Sequence, residues 1–226
     1  MALLLGAGVL LAASTLLAGQ ANPGAIDLQT TRWLQQFDAP WFAGLMYWVS
    51  WPGFSPQSVA LPLAVALAFG LRGRRGEALW IIGTQASSLV TFALKQLVDR
   101  PRPAPELVGV TAPLSDPSFP SGHTVQYTTL FGFAFFLVYV RLRPSAWRRV
   151  ALVLLAVPVL LVGISRLYLG QHWLSDVLGG YAVATLLLVP YCWAYATLTV
   201  PGRGGQARRV GRGRRVGTGR RARSRW

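Results

Sequence analysis

Residues 149–176 read RVALVLLAVPVLLVGISRLYLGQHWLSD, and this stretch decides the fold. Its first part, 149–166, is an apolar run of about the 17–25 residues that cross a bilayer as a helix. A second apolar run follows at 177–198, and between the two stand Arg166, His172 and Asp176. In water, a single run of this kind is equally a buried core helix. Four more lie upstream, however, at 2–19, 56–71, 77–97 and 122–140. With 53% of 226 residues apolar and 13% charged, too little polar chain is left to cover six such segments. The expected fold is all-α, a polytopic membrane bundle of six transmembrane helices over 1–198. The 33–52 stretch is aromatic and broken by Pro40 and Pro52, which suits an interfacial or re-entrant segment after the first span.

Charge orients this bundle. The chain carries 22 Lys+Arg against 7 Asp+Glu. The surplus sits in the connections Arg72–Arg75 and Arg141–Arg149 and in the Arg/Gly-rich stretch from Arg203 to Arg225. Basic loops remain cytoplasmic, so a multi-pass protein of the cell membrane is expected with both termini in the cytoplasm. The 98–121 loop and the 167–176 connection then face the periplasm or exterior. Residues 2–19 have no Lys or Arg ahead of them and are long for a signal peptide, so they read as a retained span. Residues 199–226 read as a disordered tail resting on anionic phospholipids rather than on nucleic acid. Cys192 is the only cysteine, which excludes a disulfide scaffold; it reads as an inert buried thiol.

The residues able to do chemistry cluster at the exterior ends of these spans. There are two histidines and one lysine in the chain. If 172–176 is helical, His172 and Asp176 share a face, and the carboxylate can fix the imidazole tautomer and free the other nitrogen as a nucleophile. An ordinary i,i+4 pair at a helix start fits the same spacing. Phe119–Thr124 reads as a turn into a helix. Ser121 would be its N-cap, Gly122 would let an anion approach the backbone, and His123 in the first turn could pass a proton to a leaving oxygen. Lys95, Arg100 and Arg102 leave the third span together; simple snorkelling at the interface is the plain alternative. One tetrahedral anion would satisfy Lys95, Arg102, Arg166, Ser121 and the two histidines at once. A divalent metal beside three cations would be repelled, so no metal is expected. Tyr168 and Trp173 read as interfacial anchors, and Gly179–Gly180 as a close helix contact.

Three runs carry a family resemblance: Lys95…Arg102–Pro103, Pro120–Ser121–Gly122–His123, and Ser165–Arg166…His172…Asp176. Their order and spacing resemble the K-x6-R-P, P-S-G-H and S-R-x5-H-x3-D signature of the type 2 phosphatidic acid phosphatase superfamily. The resemblance implies a helical bundle that needs no metal or other cofactor and works through a phosphohistidine. It makes His172 the nucleophile, oriented by Asp176, with His123 as acid and base. Lys95, Arg102, Ser121, Gly122 and Arg166 then bind phosphate. The implied substrate is a membrane lipid phosphate or pyrophosphate, with undecaprenyl pyrophosphate ahead of phosphatidic acid and phosphatidylglycerophosphate. A lipid phosphotransferase would use the same site, and a non-catalytic lipid-binding protein is the remaining alternative. Arg100 lies outside the motif, with a lipid headgroup or a second phosphate as its candidate partners.

Overall fold

The computed structural model describes residues 1–20 and 23–199, and all regular structure among them is helical. The helices are α1 (Ala2–Ala18), α2 (Ala25–Gln35), α3 (Pro40–Ser50), α4 (Gln57–Leu71), α5 (Arg75–Gly83), α6 (Ala86–Val98), α7 (Gly122–Arg141), α8 (Ala146–Tyr168) and α9 (Leu174–Thr199). The chain divides into two units, Met1–Cys192 and Trp193–Trp226. Every residue discussed below belongs to the first. Of the second, 193–199 is the end of α9. The expected tail, beyond Thr199, lies outside the described residues.

Two helices, α8 and α9, are each long and apolar enough to cross a membrane. Only 28% of the 18-residue apolar stretch of α8 is buried within the protein. Val150, Val153, Leu154, Val157, Leu160 and Ile164 lie exposed along it. Leaving such side chains in water forfeits about 1.5–3 kcal/mol each, whereas hydrocarbon accepts them. Towards its C-terminal end Val162, Gly163, Ser165, Arg166 and Leu167 are buried. The helix opens on a side-chain cap, Ser145 Oγ accepting from the Arg148 N–H at 3.1 Å.

The expected span 77–97 is not one helix. It breaks at Thr84–Gln85 into α5 and α6. The Tyr191 hydroxyl takes the Trp80 carbonyl (2.5 Å), and the Thr84 N–H bonds Ile81 instead, three residues back. The acceptor that would continue the α-helix is therefore occupied from α9. The aromatic segment, expected as interfacial or re-entrant, continues into the next helix. Helix α3 runs through a 3-10 turn (Trp51–Gly53) into α4 with a bend of 63°, and together the pair has the length and apolarity of a broken span or a re-entrant loop. Helix α1, with 17 residues, is a shorter apolar helix.

Helix α6 stops where Asp99 adopts a left-handed backbone, φ 43°, and three prolines (Pro101, Pro103, Pro105) prevent a restart. The 99–121 loop then folds back over the start of α9: Ser118 N–H bonds the Arg100 carbonyl (2.8 Å) and Ser121 N–H bonds the Asp176 carbonyl (3.0 Å). Helix α2 clips the loop from outside. Gln35 both donates to and accepts from the Gly109 backbone, at 2.7 and 3.0 Å, and Arg32 Nε donates to the Leu107 carbonyl at 3.0 Å. Gly179 meets the Phe119 ring so closely that a Cβ there would overlap it, and one on Gly180 would press on Thr124. The loop is thus pinned to α9 by packing as well as by its backbone.

Candidate active site

The ends of α6, α7, α8 and α9 meet the 99–121 loop around a cavity of about 510 Å³. Lys95, Arg102, Gly122, His123, Arg166 and His172 all line it. Asp176 is fully buried directly behind His172. Ser121 does sit at the N-cap position of α7, but its side chain caps nothing; Thr124 Oγ1 donates to its Oγ at 3.0 Å. A second hollow of about 240 Å³, with Ser87, Thr91, Phe92 and Gln126 on its walls, shares Lys95, Gly122 and His123 with the first.

His172 lies ahead of α9 rather than within it. The chain leaves α8 through Gly170, at φ +63°, where a Cβ would collide with the Gly109 carbonyl. His172 therefore enters the cavity from a fixed turn. Asp176 is the third residue of α9, and its Oδ2 reaches back to the Trp173 N–H at 2.8 Å, as in a capping box. The separation between His172 Nδ1 and Asp176 Oδ2 is 3.6 Å, too long for a good hydrogen bond. Ser118 fills the interval: its hydroxyl donates to Asp176 Oδ2 and stands 3.4 Å from His172 Nδ1. On the far side of the ring, Arg102 Nη1 lies 3.3 Å from Nε2. A guanidinium can only donate, so Nε2 carries the lone pair and Nδ1 the hydrogen. Burial, opposed by the adjacent Asp176 carboxylate and reinforced by the Arg102 charge, pushes the imidazole down to about 3. His172 is therefore neutral, with the Nε2 lone pair on the cavity side, where Arg102 faces it.

The cations are held by different means. Arg166 is fully buried; Nη1 donates to Ser50 Oγ (3.1 Å) and Nη2 to Gln171 Oε1 (2.9 Å), with the Phe54 ring beneath. Its Nε has no partner, and neither has His123 Nε2. The His123 ring packs edge-on against Phe54 and so closely over Gly53 that a Cβ there would overlap it. Lys95 and Arg102 share one carboxylate, Asp116, whose two oxygens lie 2.9 Å from each. Burial alone would raise the Asp116 carboxyl, but the Lys95 hydrogen bond and the two positive charges outweigh it and hold it below its usual value.

Arg100 contacts neither a headgroup position nor the cavity. It is 3% exposed and lies between two carboxylates, Asp27 (2.7 Å) and Asp176 (2.5 Å). Trp173, expected at the interface, is 2% exposed at the start of α9. Asp116, Ser118, Gln171 and Asp27 escaped sequence reasoning. The one available signal was charge balance: cations fixed beside prolines, in a chain with seven acids, need carboxylates that come from elsewhere.

A family model of the PAP2 superfamily matches residues 77–199, more than half of the chain. The chain belongs to the PAP2 superfamily. Its relatives are phosphatases and diphosphatases of lipids, and it is an enzyme of that class. It is 34% identical over 155 residues to phosphatidylglycerophosphatase B of Bacillus subtilis (strain 168), covering 66% of this chain and 72% of that protein. It is 34% identical over 148 residues to YbjG of Escherichia coli (strain K12), provisionally named an undecaprenyl-diphosphatase, covering 63% and 68%. The transmembrane PAP2-type phosphatidylglycerolphosphate phosphatase of Bacillus subtilis superposes with a TM-score of 0.77 at 23% identity, over 89% of this chain and all of that one. Aquifex aeolicus LpxE follows with a TM-score of 0.57 at 21% identity, over 77% and 99%. At those identities the two solved structures speak for the PAP2 fold.

Proposed function

We propose that this PAP2 enzyme hydrolyses membrane lipid phosphates or pyrophosphates through a phosphohistidine on His172, using its own cations in place of a metal. One observation carries the reading. Two buried polar atoms without partners, His123 Nε2 and Arg166 Nε, belong to side chains lining the cavity that receives the lone pair of His172. Arg166 Nε is a donor and His123 Nε2 becomes one when its ring is protonated; buried donors without partners are costly, and a phosphoryl oxyanion supplies what both then lack. In the reaction, His172 Nε2 forms the N–P bond as the bond to the lipid oxygen breaks, and His123 delivers a proton to that oxygen. The charge of the incoming phosphate lets His123 hold that proton. Water then attacks phosphorus, His123 takes its proton, and the N–P bond breaks to free phosphate. Lys95, Arg102 and Arg166, with the Gly122 backbone, neutralise the transferring group, while the Ser121 N–H stays on the Asp176 carbonyl.

Six spans, with the 51–56 break inside one of them and α5–α6 as another, put Arg72–Arg75 and Arg141–Arg149 at the end away from the site. The positive-inside rule then makes the cavity periplasmic or exterior. That side suits undecaprenyl pyrophosphate as the first candidate, ahead of phosphatidylglycerophosphate and phosphatidic acid. The test is phosphate release by purified protein from these three lipids, without acceptor lipid and with chelator present. Undiminished, lipid-selective release is expected; loss of activity on chelation, or phosphate appearing only on an acceptor lipid, overturns the reading.

Asp116 gives a further expectation. Its carboxylate occupies the two cations that the substrate needs, so each turnover begins by displacing it. The pair is partly exposed and worth about 1 kcal/mol. Asp116→Asn is expected to tighten inhibition by inorganic phosphate about five-fold, measured as Ki. A weaker Ki would mean that Asp116 instead positions the two cations.

A further inference from the structure

The buried group behind Asp176 is larger than the reaction as drawn requires. Arg100 Nη1 donates to Asp176 Oδ1 (2.5 Å) and to Ser175 Oγ (2.7 Å), and Nη2 donates to Asp27 Oδ2 (2.7 Å). Asp27 also accepts from the Ser175 N–H (2.8 Å) and from the Ser175 hydroxyl (2.7 Å). All four residues are less than 5% exposed. Asp27 comes from α2, ahead of the 77–199 region that the family model matches.

Such a cluster is expensive to bury, and apolar residues would hold the fold as well or better. Its charge arithmetic accounts for its presence. Alone, Arg100 would cancel Asp176 and draw it off Ser118 and His172. With Asp27 on the other side of the guanidinium, the Asp27–Arg100–Asp176 group carries a net charge of −1. That charge lies on the Nδ1 side of His172, while Arg102 and Arg166 stand towards the cavity. As Nε2 attacks phosphorus the ring becomes positive, and a net negative group behind Nδ1 favours the transition state.

We propose that Asp27 and Arg100 are a positioning pair that holds Asp176 in place and keeps the group behind His172 negative as the phosphohistidine forms. The inference rests on the His172 reading above. Neither residue touches the cavity, so both act through Asp176.

The test uses the full-length protein in detergent with the lipid phosphate it turns over fastest. Asp27→Asn keeps an oxygen for the Ser175 N–H, but it puts an NH2 where Oδ2 accepts from Arg100 Nη2 and the Ser175 hydroxyl, so it removes the charge and the ion pair together. It is expected to lower kcat about 10- to 100-fold, the range for losing an outer hydrogen-bond partner behind a metal-ligating histidine, taken here as the scale. KM and the Ki of inorganic phosphate should stay within about three-fold, since the cavity cations are untouched. Asp27→Glu should recover part of kcat. Arg100→Met leaves two carboxylates facing each other and should be worse than Asp27→Asn. The double variant Asp27→Asn/Arg100→Met should then exceed Arg100→Met in activity, a sign that independent sites do not give. An Asp27→Asn protein with wild-type kcat overturns the proposal, as does a loss matched by an equal fall in folded fraction. His172→Ala is assayed alongside. If that variant is inactive while Asp27→Asn is normal, the positioning pair alone is wrong; if it is active, the phosphohistidine reading falls and takes the pair with it.

Discussion

His172→Ala should lower kcat by at least about 10⁴-fold, on the scale of removing the nucleophile from other covalent enzymes, and should leave no phosphoenzyme. The residue is 2% exposed, its Nε2 is the face turned to the cavity, and that nitrogen carries the lone pair because Arg102 can only donate to it; the incoming phosphate has to draw Arg102 onto its own oxygens before attack. What should remain after its removal is the electrostatic part: on the proposed reading Lys95, Arg102 and Arg166 still hold the anion, so slow attack by water can persist. The trap must be alkaline, since protonating an N–P bond makes imidazole a good leaving group and an acid quench destroys the intermediate. The fold should survive, because Asp176 retains Arg100, Ser118 and the Trp173 N–H when the ring is gone. His172→Gln, which fills more of the space, serves as the control for cavity collapse and should be equally inactive. Turnover within ten-fold of wild type in either variant would remove His172 from the chemistry.

The three runs that bring this histidine to the cavity could be read from sequence because their spacing is local. Helices α7, α8 and α9 begin and end within a few residues of the apolar runs 122–140, 149–166 and 177–198, since a long apolar period and its flanking charges are properties of the segment itself. What sequence could not supply was set by distant partners. The break between α5 and α6 depends on Tyr191, more than a hundred residues away, taking the Trp80 carbonyl. Arg100 looked like a surface cation because its partners, Asp27 and Asp176, are 73 and 76 residues distant. His172 and Asp176 have the spacing of a helical pair, yet Asp176 is committed to the start of α9 and Ser118 stands between them. The residue types at the site were legible, but which carboxylate serves which cation was not.

Arg166→Lys should cost about 10²–10³-fold in kcat/KM, the scale of losing a single oxyanion donor, although it preserves the charge. The guanidinium divides its work three ways. Nη1 is held by Ser50 and Nη2 by Gln171, while Nε is the donor left over for an oxygen in the cavity. Ser50 is itself tied to Ser165 at 2.6 Å, and the Gln171 carbonyl receives Arg102, so the fork is locked from both sides. A lysine ammonium is a point charge on a flexible stem and cannot hold both anchors while donating to an anion. On the proposed mechanism the lost contact goes to the equatorial oxygens of the transferring group, so the penalty should fall on the transition state. Vanadate, which adopts that trigonal-bipyramidal shape, should therefore lose affinity by a factor close to the loss in kcat/KM, while KM changes less. If vanadate inhibition is unchanged as turnover falls, Arg166 serves the fold through Ser50 and Gln171, and the oxyanion must be held by Lys95 and Arg102 alone.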